Sequence, residues 1–584
     1  MRKTLVSRII ILAVVYCVVF LFIVLLQFSD SGNFSISTGG MTIKGRYQAA
    51  FKQAHKDDGS LGSGLQPVIG GVRIFYSGLE FFLREDRHNG MRLTDDDGKT
   101  VSVSPEYMYN ADNISIFILP GGTVLTFRSR DSSEDFELQI SGELADNISE
   151  ITIPIEPRRS SLIRDAGQLS VLYGSSRLVF NTNGQELDKG SISITRNNAF
   201  ISYHTRRDAR IFNPADFIIA RESNYDGILR SWQDSSFSQW NQNTSALLNE
   251  DDVIAYLAGT IIRGNYASAV SNIPAGFLNS ARQSYRSSVY IGGMANAYRS
   301  FTASENEKLS LIARLISERS PDFLKEEHIL DWLFTRNNTA LANDVINFIN
   351  NMTDETLTLD YCSGLFEIFS DMRQWRPETG NIIERLTRQM LLLISENLDR
   401  SIDEDLIFVL GMEGGNIEFS LRLGIALYTW AEAVQNSEWA AIGRSLVLSA
   451  ISRTAVNTGR LHNILKPSGY YPRAAWLTGD GHWAWTVSQS VRASFIDGDL
   501  NISVSFPANM THHMIVRGIQ PFYSIQIHGQ AWRSDPQFER YDSSGWIYYQ
   551  EEQILVLKLR HRTAIEDIRI SYRAPAPPLT PDEI

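Results

Sequence analysis

The residue types best suited to chemistry gather in one short stretch of the sequence, between residues 460 and 485. This stretch contains Arg460, His462, Asn463, Tyr470, Tyr471, Arg473, Trp476, Asp480, His482, Trp483 and Trp485. Aromatic faces stack on sugar rings, and arginine and asparagine side chains donate hydrogen bonds to hydroxyls or carboxylates. Intervening proline and glycine residues indicate loops. The combination favours a cleft that holds a glycan.

A second patch lies earlier in the chain, where Tyr285, Arg286 and Tyr290 alternate aromatic and basic side chains. It either lines a groove for an anion or forms a helix surface with packed tyrosines and solvated arginines. For the first stretch the alternative is a joint between two domains, which tyrosine and tryptophan commonly fill. If a glycan binds, we expect its contacts to come from Asn463, Tyr470, Trp476, Trp483, Trp485 and Arg286.

The elements that would position these residues follow from the hydrophobic pattern. Over residues 35–212 the apolar positions alternate, as in Phe136, Leu138 and Ile140, which predicts an antiparallel β-sandwich. Over residues 213–458 they recur at helical spacing, as in Leu386 and Met390. This predicts an all-α domain of about ten to twelve helices in hairpins.

Alternation returns near the C-terminus, for example in Leu555, Leu557 and Leu559. Residues 459–573 are therefore predicted to hold a junction loop followed by a C-terminal β-sandwich. Four prolines and closing acidic residues make 574–584 a loose tail. The predicted fold class is thus multidomain α and β, in the order β, α, β.

This order resembles that of α/α-toroid carbohydrate enzymes, namely polysaccharide lyases of the hyaluronate-lyase type and toroid glycoside hydrolases. The likeness covers most of the chain beyond its N-terminal segment, and it is one of architecture rather than of motif. It implies that the helical domain is an α/α toroid, with a glycan cleft walled by a β domain.

The resemblance also implies which side chains carry catalysis. A lyase needs a base and a cation that neutralises the uronate, and His462, Tyr471 and Arg473 are of the residue types that such lyases use. A hydrolase needs two carboxylates across a cleft, for which Asp480 and Glu413 are the candidates. The sequence leaves open whether the chain is a lyase, a hydrolase or no enzyme.

Composition excludes several other classes of function. A formal net charge of −12 argues against a nucleic-acid partner, because phosphate binding needs a positive surface. The sequence has no paired-cysteine zinc pattern, phosphate-binding loop or dinucleotide fingerprint. We therefore expect neither a metal site nor a cofactor.

The N-terminus predicts a signal anchor at residues 9–27. Arg2, Lys3 and Arg8 precede an apolar run that is long enough to span a bilayer. The positive flank, residues 1–8, would stay in the cytoplasm and leave the bulk of the chain periplasmic or extracellular. Two functions fit this placement: an anchored protein that binds or acts on polysaccharide through its helical domain, or a non-catalytic envelope scaffold that binds a partner. The sequence does not identify a protein partner.

Overall fold

The computed structural model describes residues 32–48, 64–86, 89–131, 136–145, 147–165, 168–173, 176–180, 190–196, 201–205, 212–280, 282–401, 405–409, 417–453 and 458–574. These residues fall into two compact units. The first contains the described residues up to 205 together with Ser401, and the second contains the remainder. The predicted anchor at 9–27, the tail beyond residue 574 and Glu413 lie outside the described residues.

The first unit is made of β-strands. Its strands are β1 (Asn33–Thr38), β2 (Met41–Arg46), β3 (Gln66–Pro67), β4 (Val72–Tyr76), β5 (Leu79–Leu83), β6 (Arg92–Asp95), β7 (Thr100–Ser102), β8 (Tyr107–Ala111), β9 (Ile114–Ile118), β10 (Val124–Asp131), β11 (Phe136–Glu143), β12 (Ile148–Pro157), β13 (Ser161–Asp165), β14 (Gln168–Tyr173), β15 (Ser176–Phe180), β16 (Ser191–Thr195) and β17 (Ile201–Thr205). Neighbouring strands pair in antiparallel register, as β10 does with β11.

These strands form two sheets around one core. The first has the order β1-β2-β4-β5-β12-β6-β7, with β16 also paired to β12, and the second has the order β13-β14-β15-β17-β11-β10-β9-β8-β3. Phe81 of the first sheet meets Phe127 of the second, with ring centroids 5.6 Å apart. Alternating apolar side chains bury one face of each sheet against the other. The predicted N-terminal β region is confirmed.

The second unit begins with the helical region. Its helices are α1 (Tyr225–Gln242), α2 (Glu250–Arg263), α3 (Tyr266–Ser271), α4 (Ala275–Leu278), α5 (Tyr285–Ile291), α6 (Met294–Ser317), α7 (Ile329–Thr335), α8 (Thr339–Asn351), α9 (Leu359–Trp375), α10 (Glu384–Asn397), α11 (Ile417–Ala433), α12 (Ser437–Ile451) and α13 (Thr458–Leu465). A short ladder of β18 (Leu398–Arg400) and β19 (Ile407–Val409) lies among them. The predicted helical centre of the chain is confirmed, and its closure into a toroid stays a prediction.

The helix α13 corrects one detail of the sequence interpretation, which placed a junction loop from residue 459 onward. Residues 458–465 are helical, with Leu461 buried. Gly459 is needed for packing, because a Cβ there would lie 2.4 Å from the backbone nitrogen of Asp252 on α2. The glycine therefore allows two helices to approach closely and does not mark a loop.

The second unit ends in two five-stranded antiparallel sheets. Their strands are β20 (Arg473–Trp476), β21 (Trp483–Thr486), β22 (Ser490–Ile496), β23 (Asp499–Ser505), β24 (Thr511–Arg517), β25 (Ser524–Ile527), β26 (Gln530–Trp532), β27 (Gly545–Tyr549), β28 (Ile554–Arg560) and β29 (Ile565–Ser571). The orders are β20-β21-β24-β28-β27 and β22-β23-β29-β25-β26. The predicted C-terminal β region is confirmed.

Strand β28 shows why the helices and these sheets form one unit. Leu555 and Leu557 point into the core that the two sheets share. Ile554 and Val556 point the other way, into a core that also contains helical residues such as Tyr256. Both faces of the strand are buried, which explains its nearly continuous apolar sequence.

Within the part of the chain that the structure describes, no helix combines the length and the apolar composition that a membrane crossing requires.

Candidate functional site

A cavity of about 320 Å³ lies in the second unit, beside helices α5, α6 and α13. We call it the basic cavity, and its lining residues are Tyr285, Arg286, Lys308, Glu327, Arg460, Asn463, Lys466, Tyr471, Pro472 and Trp485. Four of these side chains are cationic, one is a carboxylate and three are aromatic. The wall is therefore rich in positive charge although the whole chain carries a formal net charge of −12.

Glu250, at the start of α2, fixes the first turn of α5 and thereby Tyr285 and Arg286. Its carboxylate accepts hydrogen bonds from the backbone nitrogen and the hydroxyl of Ser284, both at 2.8 Å, and from the hydroxyl of Ser287 at 2.6 Å. Ser284 in turn caps α5 by accepting from the backbone nitrogen of Arg286 at 3.1 Å. A carboxylate at a helix N-terminus also matches the helix dipole.

The next residue, Asp251, joins the two stretches that the sequence singled out. Arg286 donates to its Oδ1 at 2.8 Å. The Asn463 amide donates to the same oxygen at 3.2 Å and to the Asp251 carbonyl at 3.0 Å. Arg286 and Asn463 therefore meet in one wall of the basic cavity, as expected for residues that share a site.

Helix α13 directs Arg460 and Asn463 into the cavity because residues three apart share a helix face. Lys466 follows the helix, in a left-handed conformation with φ of 44°. His462 is two residues from Arg460, about 200° around the helix, and does not line the cavity. Helix α13 thus places the neighbouring candidates His462 and Asn463 in different environments.

The other lining cations also have carboxylate partners. The Lys308 Nζ lies 2.7 Å from Glu326, the Arg460 Nε lies 3.4 Å from Glu418, and the Lys466 Nζ lies 3.6 Å from Glu327. Glu326 and Glu418 are absent from the lining. Two of the three cations are therefore held from outside the cavity, while Glu327 is the one carboxylate within its wall.

The pKa of Glu327 is lowered by its surroundings. Burial acts to raise that pKa, but the positive charges of Lys466, Arg422 and Arg460 outweigh the effect of burial. The side chain consequently stays ionised and cannot serve as a general acid near neutral pH.

Three aromatic side chains complete the wall. The ring of Tyr285 meets that of Trp485 edge to face, with centroids 5.6 Å apart, and its hydroxyl lies 3.1 Å from the Ser304 hydroxyl. Tyr471 is buried, and burial raises the pKa of its phenol, which therefore stays protonated. Such rings provide flat faces on which a sugar can stack.

His462, a predicted base, is enclosed by tryptophans. Its ring stacks on Trp232 with centroids 4.1 Å apart and contacts Trp240 at 5.1 Å, and the residue is only 4% exposed. Burial, assisted by the charge of Arg263, lowers the pKa of His462 to about 3. Its imidazole is therefore neutral near pH 7 and does not line the basic cavity.

Two further candidates of the first stretch are tied to backbone groups. Arg473 donates to the carbonyls of Ser488 at 3.2 Å and Gln489 at 3.0 Å, and burial lowers its pKa. The carbonyl of Tyr470 accepts the Tyr290 hydroxyl at 2.5 Å. Neither residue lines the basic cavity, and both hold strand β20 and the preceding segment in place.

Trp476, Asp480 and Trp483, the other described candidates, are not among the residues that line the cavity. Trp483 is buried beneath the Arg336 guanidinium, whose carbon is 4.4 Å from the ring centroid. Trp476 is 45% exposed, and Asp480 lies in an exposed turn. Ten of the eleven predicted site residues are described by the structure, and four of these ten line the basic cavity together, namely Arg286, Asn463, Tyr471 and Trp485.

The sequence interpretation missed a charged network next to the cavity, formed by His328, Glu367, Asp371 and Arg422. The His328 Nδ1 lies 2.8 Å from Asp371, and its backbone nitrogen donates to Glu367 at 3.0 Å. Arg422 makes two hydrogen bonds of 2.7 Å to Glu367. These residues come from three separate helical segments, so no local spacing in the sequence could reveal them.

Among the described residues, no group of three or more histidine, cysteine or acidic side chains is arranged to hold a metal ion. A comparison with models of known protein families finds no match. A comparison with curated proteins likewise finds no significant match.

Proposed function

We propose that this protein binds a uronate-containing acidic polysaccharide in the basic cavity. The observation that supports this proposal is the composition of one wall, in which four cations and three aromatic rings surround a single carboxylate. An acidic sugar chain offers the complementary pair of features, a carboxylate and a flat apolar ring face. Arginine and lysine bind the first through charged hydrogen bonds, and aromatic rings stack on the second.

The size of the cavity sets how much of a polymer it accommodates. Its volume of about 320 Å³ is at the lower end for ligand pockets. We therefore propose that a short segment of the chain occupies the cavity, while the rest of the polymer extends into solvent.

Binding has more support than cleavage. The predicted base His462 lies between tryptophans, and the pKa of Tyr471 is raised by burial, so neither is suited to take a proton near neutral pH. Asp480 lies in an exposed turn outside the cavity lining. The proposed function is accordingly recognition of the polymer without cleavage, which is the binding form of the first of the two functions that the sequence suggests.

The proposed setting is the cell envelope. If residues 9–27 anchor the chain as their sequence predicts, the cavity faces polymers outside the cytoplasm. The protein would then tether an acidic polysaccharide to the membrane from which it projects.

The test is a binding and cleavage screen of the full-length protein in detergent. Immobilised polygalacturonate, alginate and hyaluronan are compared with dextran, a neutral control. We expect binding to at least one acidic polymer, little binding to dextran, and weaker binding at high salt because the contacts are charged. Equal binding to dextran, or binding to none of the polymers, would contradict the proposal and favour the scaffold function. Release of unsaturated uronate would instead establish a lyase.

A further inference from the structure

His328 has an unusual backbone and an accessible ring. It precedes α7 in the left-handed conformation, with φ of 44° and ψ of 50°. Positive φ is uncommon for residues other than glycine, and such conformations concentrate at functional sites. Its side chain is nevertheless 51% exposed. The chain thus maintains a rare conformation while leaving the imidazole open to solvent.

Two buried carboxylates hold this conformation. Asp371 on α9 lies 2.8 Å from the His328 Nδ1 and accepts the backbone nitrogen of Asp331 at 3.1 Å. Glu367, one turn earlier on α9, accepts the His328 backbone nitrogen at 3.0 Å. With Nδ1 engaged by a carboxylate, the orientation of the ring is fixed, and Nε2 is the nitrogen that remains for a further partner.

Arg422 on α11 secures the segment from the other side. It donates to the carbonyls of Lys325 at 2.5 Å and Glu326 at 3.0 Å while it pairs with Glu367. The segment that leads to His328 is therefore held by hydrogen bonds to its backbone and, at His328 itself, also to the side chain.

A second histidine of the same unit, His528, is held in a similar way, but both of its ring nitrogens have partners. His528 also has positive φ, 56°, and its Nδ1 lies 2.6 Å from a buried carboxylate, Glu566. Its Nε2, however, lies 3.0 Å from the Ser544 hydroxyl, and its side chain is 5% exposed. His528 is a structural histidine, and the comparison shows what His328 lacks, namely an internal partner for Nε2 among the described residues.

His328 adjoins the basic cavity. The preceding residue Glu327 is part of its wall, and the charge of the lining residue Lys466 acts on the pKa of His328. The charged groups that interact with His328 are Asp371 and Glu367 on α9, Glu327 before α7 and Lys466 after α13. Other charged groups contact these residues in turn: Asp331 contacts Asp371, Arg422 pairs with Glu367, and Arg460 acts on Glu327.

We propose that His328 binds the polysaccharide, with Nε2–H donating a charged hydrogen bond to a uronate carboxylate. This inference rests on the proposed function and adds a fifth cation, at the edge of the basic cavity. Burial acts to lower the pKa of His328, but Asp371 and Glu367 raise it to about 9. The imidazole is therefore a cation at neutral pH, and it loses that charge as the pH rises above 9.

The test is a calorimetric titration of the full-length protein with uronate hexamers prepared from polygalacturonate, alginate and hyaluronan, between pH 7.5 and pH 10. We expect the affinity of the wild type to fall about tenfold across this range, because one charged hydrogen bond is lost. The variant His328→Asn retains a residue that tolerates positive φ. It should bind about tenfold more weakly at pH 7.5 and show no such pH dependence.

A second variant separates ligand contact from folding. Asp371→Asn leaves His328 in place but removes the negative charge that raises its pKa, so the loss of affinity should move to lower pH. If both variants keep the affinity and the pH profile of the wild type, the role of His328 is refuted while the proposed function stands. If the wild type binds no acidic hexamer at any pH, the proposed function itself fails and the inference fails with it.

Discussion

The basic cavity and the buried interior of the second unit differ in how their polar side chains are paired. In the basic cavity, each of the four lining cations has a carboxylate within 3.6 Å. Deeper in the same unit are His462, His512, His513 and His561, which we call the buried histidines. Both ring nitrogens of His512 are buried without a hydrogen-bond partner among the described residues.

This difference in pairing determines which side chains carry a charge. A cation that is paired and accessible can keep its charge and meet a ligand, whereas an unpaired buried imidazole must stay neutral. His328 and His462 are the clearest contrast: Asp371 raises the pKa of the first to about 9, and burial lowers that of the second to about 3. The proposed function assigns ligand binding to the cations of the cavity, whereas the buried histidines stay neutral.

The largest expected effect is acid destabilisation through the buried histidines. Burial lowers the pKa of His462 and His513 to about 3, that of His561 to about 4, and that of His512 well below 6.5. Their stabilisation is present above 6.5 and is lost as the pH falls, because only the unfolded chain then binds the protons. The cost is about 2 kcal/mol for each histidine at pH 5.

Denaturant unfolding of the full-length protein at pH 7 and pH 5, followed by tryptophan fluorescence, measures this loss. The variant His462→Met removes one titrating group with a side chain of similar size, and it should recover about 2 kcal/mol of the acid loss. Equal stability of the wild type at the two pH values would show that the buried histidines have ordinary pKa values. The contrast with the cavity would then fail.

The next effect concerns the packing behind the cavity. Phe301 is fully buried on α6, and its ring lies within 6 Å of those of Tyr285, Trp483 and Trp485. Phe301→Ala should lower the free energy of unfolding by about 4 kcal/mol because it leaves a cavity in the core. Trp476→Ala is the control, since that side chain is 45% exposed and should matter little. A small loss for Phe301→Ala would indicate that this layer is loosely packed.

Replacing Arg422 should lower the free energy of unfolding, because the buried carboxylate of Glu367 then loses its charged partner. Its pair with Glu367 is largely buried, with side-chain exposures of 16% and 7%. Arg422→Met should cost about 3 kcal/mol, and Arg422→Met combined with Glu367→Met should recover much of it. Arg444→Met, which breaks the more exposed pair with Glu222, should cost less than about 1 kcal/mol. Equal losses for the two arginine variants would refute the special role of the His328 segment.

Replacing Lys466 should have the smallest effect on stability and the most specific effect on ligand binding. Lys466→Met removes a cavity cation whose side chain is 48% exposed and should leave the melting temperature nearly unchanged. It should weaken the binding of an acidic hexamer about tenfold. Lys325→Met is a matched control, because Lys325 is 54% exposed, pairs with Asp322 and is outside the cavity lining. If both variants bind alike, the cavity is not the binding site.

The hydrophobic pattern was enough to predict the β, α, β order, because alternation and helical spacing are local properties of the chain. The sequence also draws attention to Arg286, Asn463, Tyr471 and Trp485, which line the basic cavity, because clusters of aromatic and polar residues are visible in it. It could not assign His462 to the buried side, because that depends on the contact of α13 with Trp232 on α1. Nor could it find His328, whose partners Glu367 and Asp371 are 39 and 43 residues away in the sequence.

The most direct test of the central claim compares the affinity of the full-length protein for uronate hexamers before and after chemical reduction of their carboxyl groups. Reduction leaves the sugar rings available for stacking and removes the charges that the basic cavity would bind. We predict that the acidic form of at least one hexamer binds at least about tenfold more tightly than its reduced form, and that Lys466→Met narrows the difference. Equal affinity for the two forms of every hexamer, or no binding of any, would contradict the account.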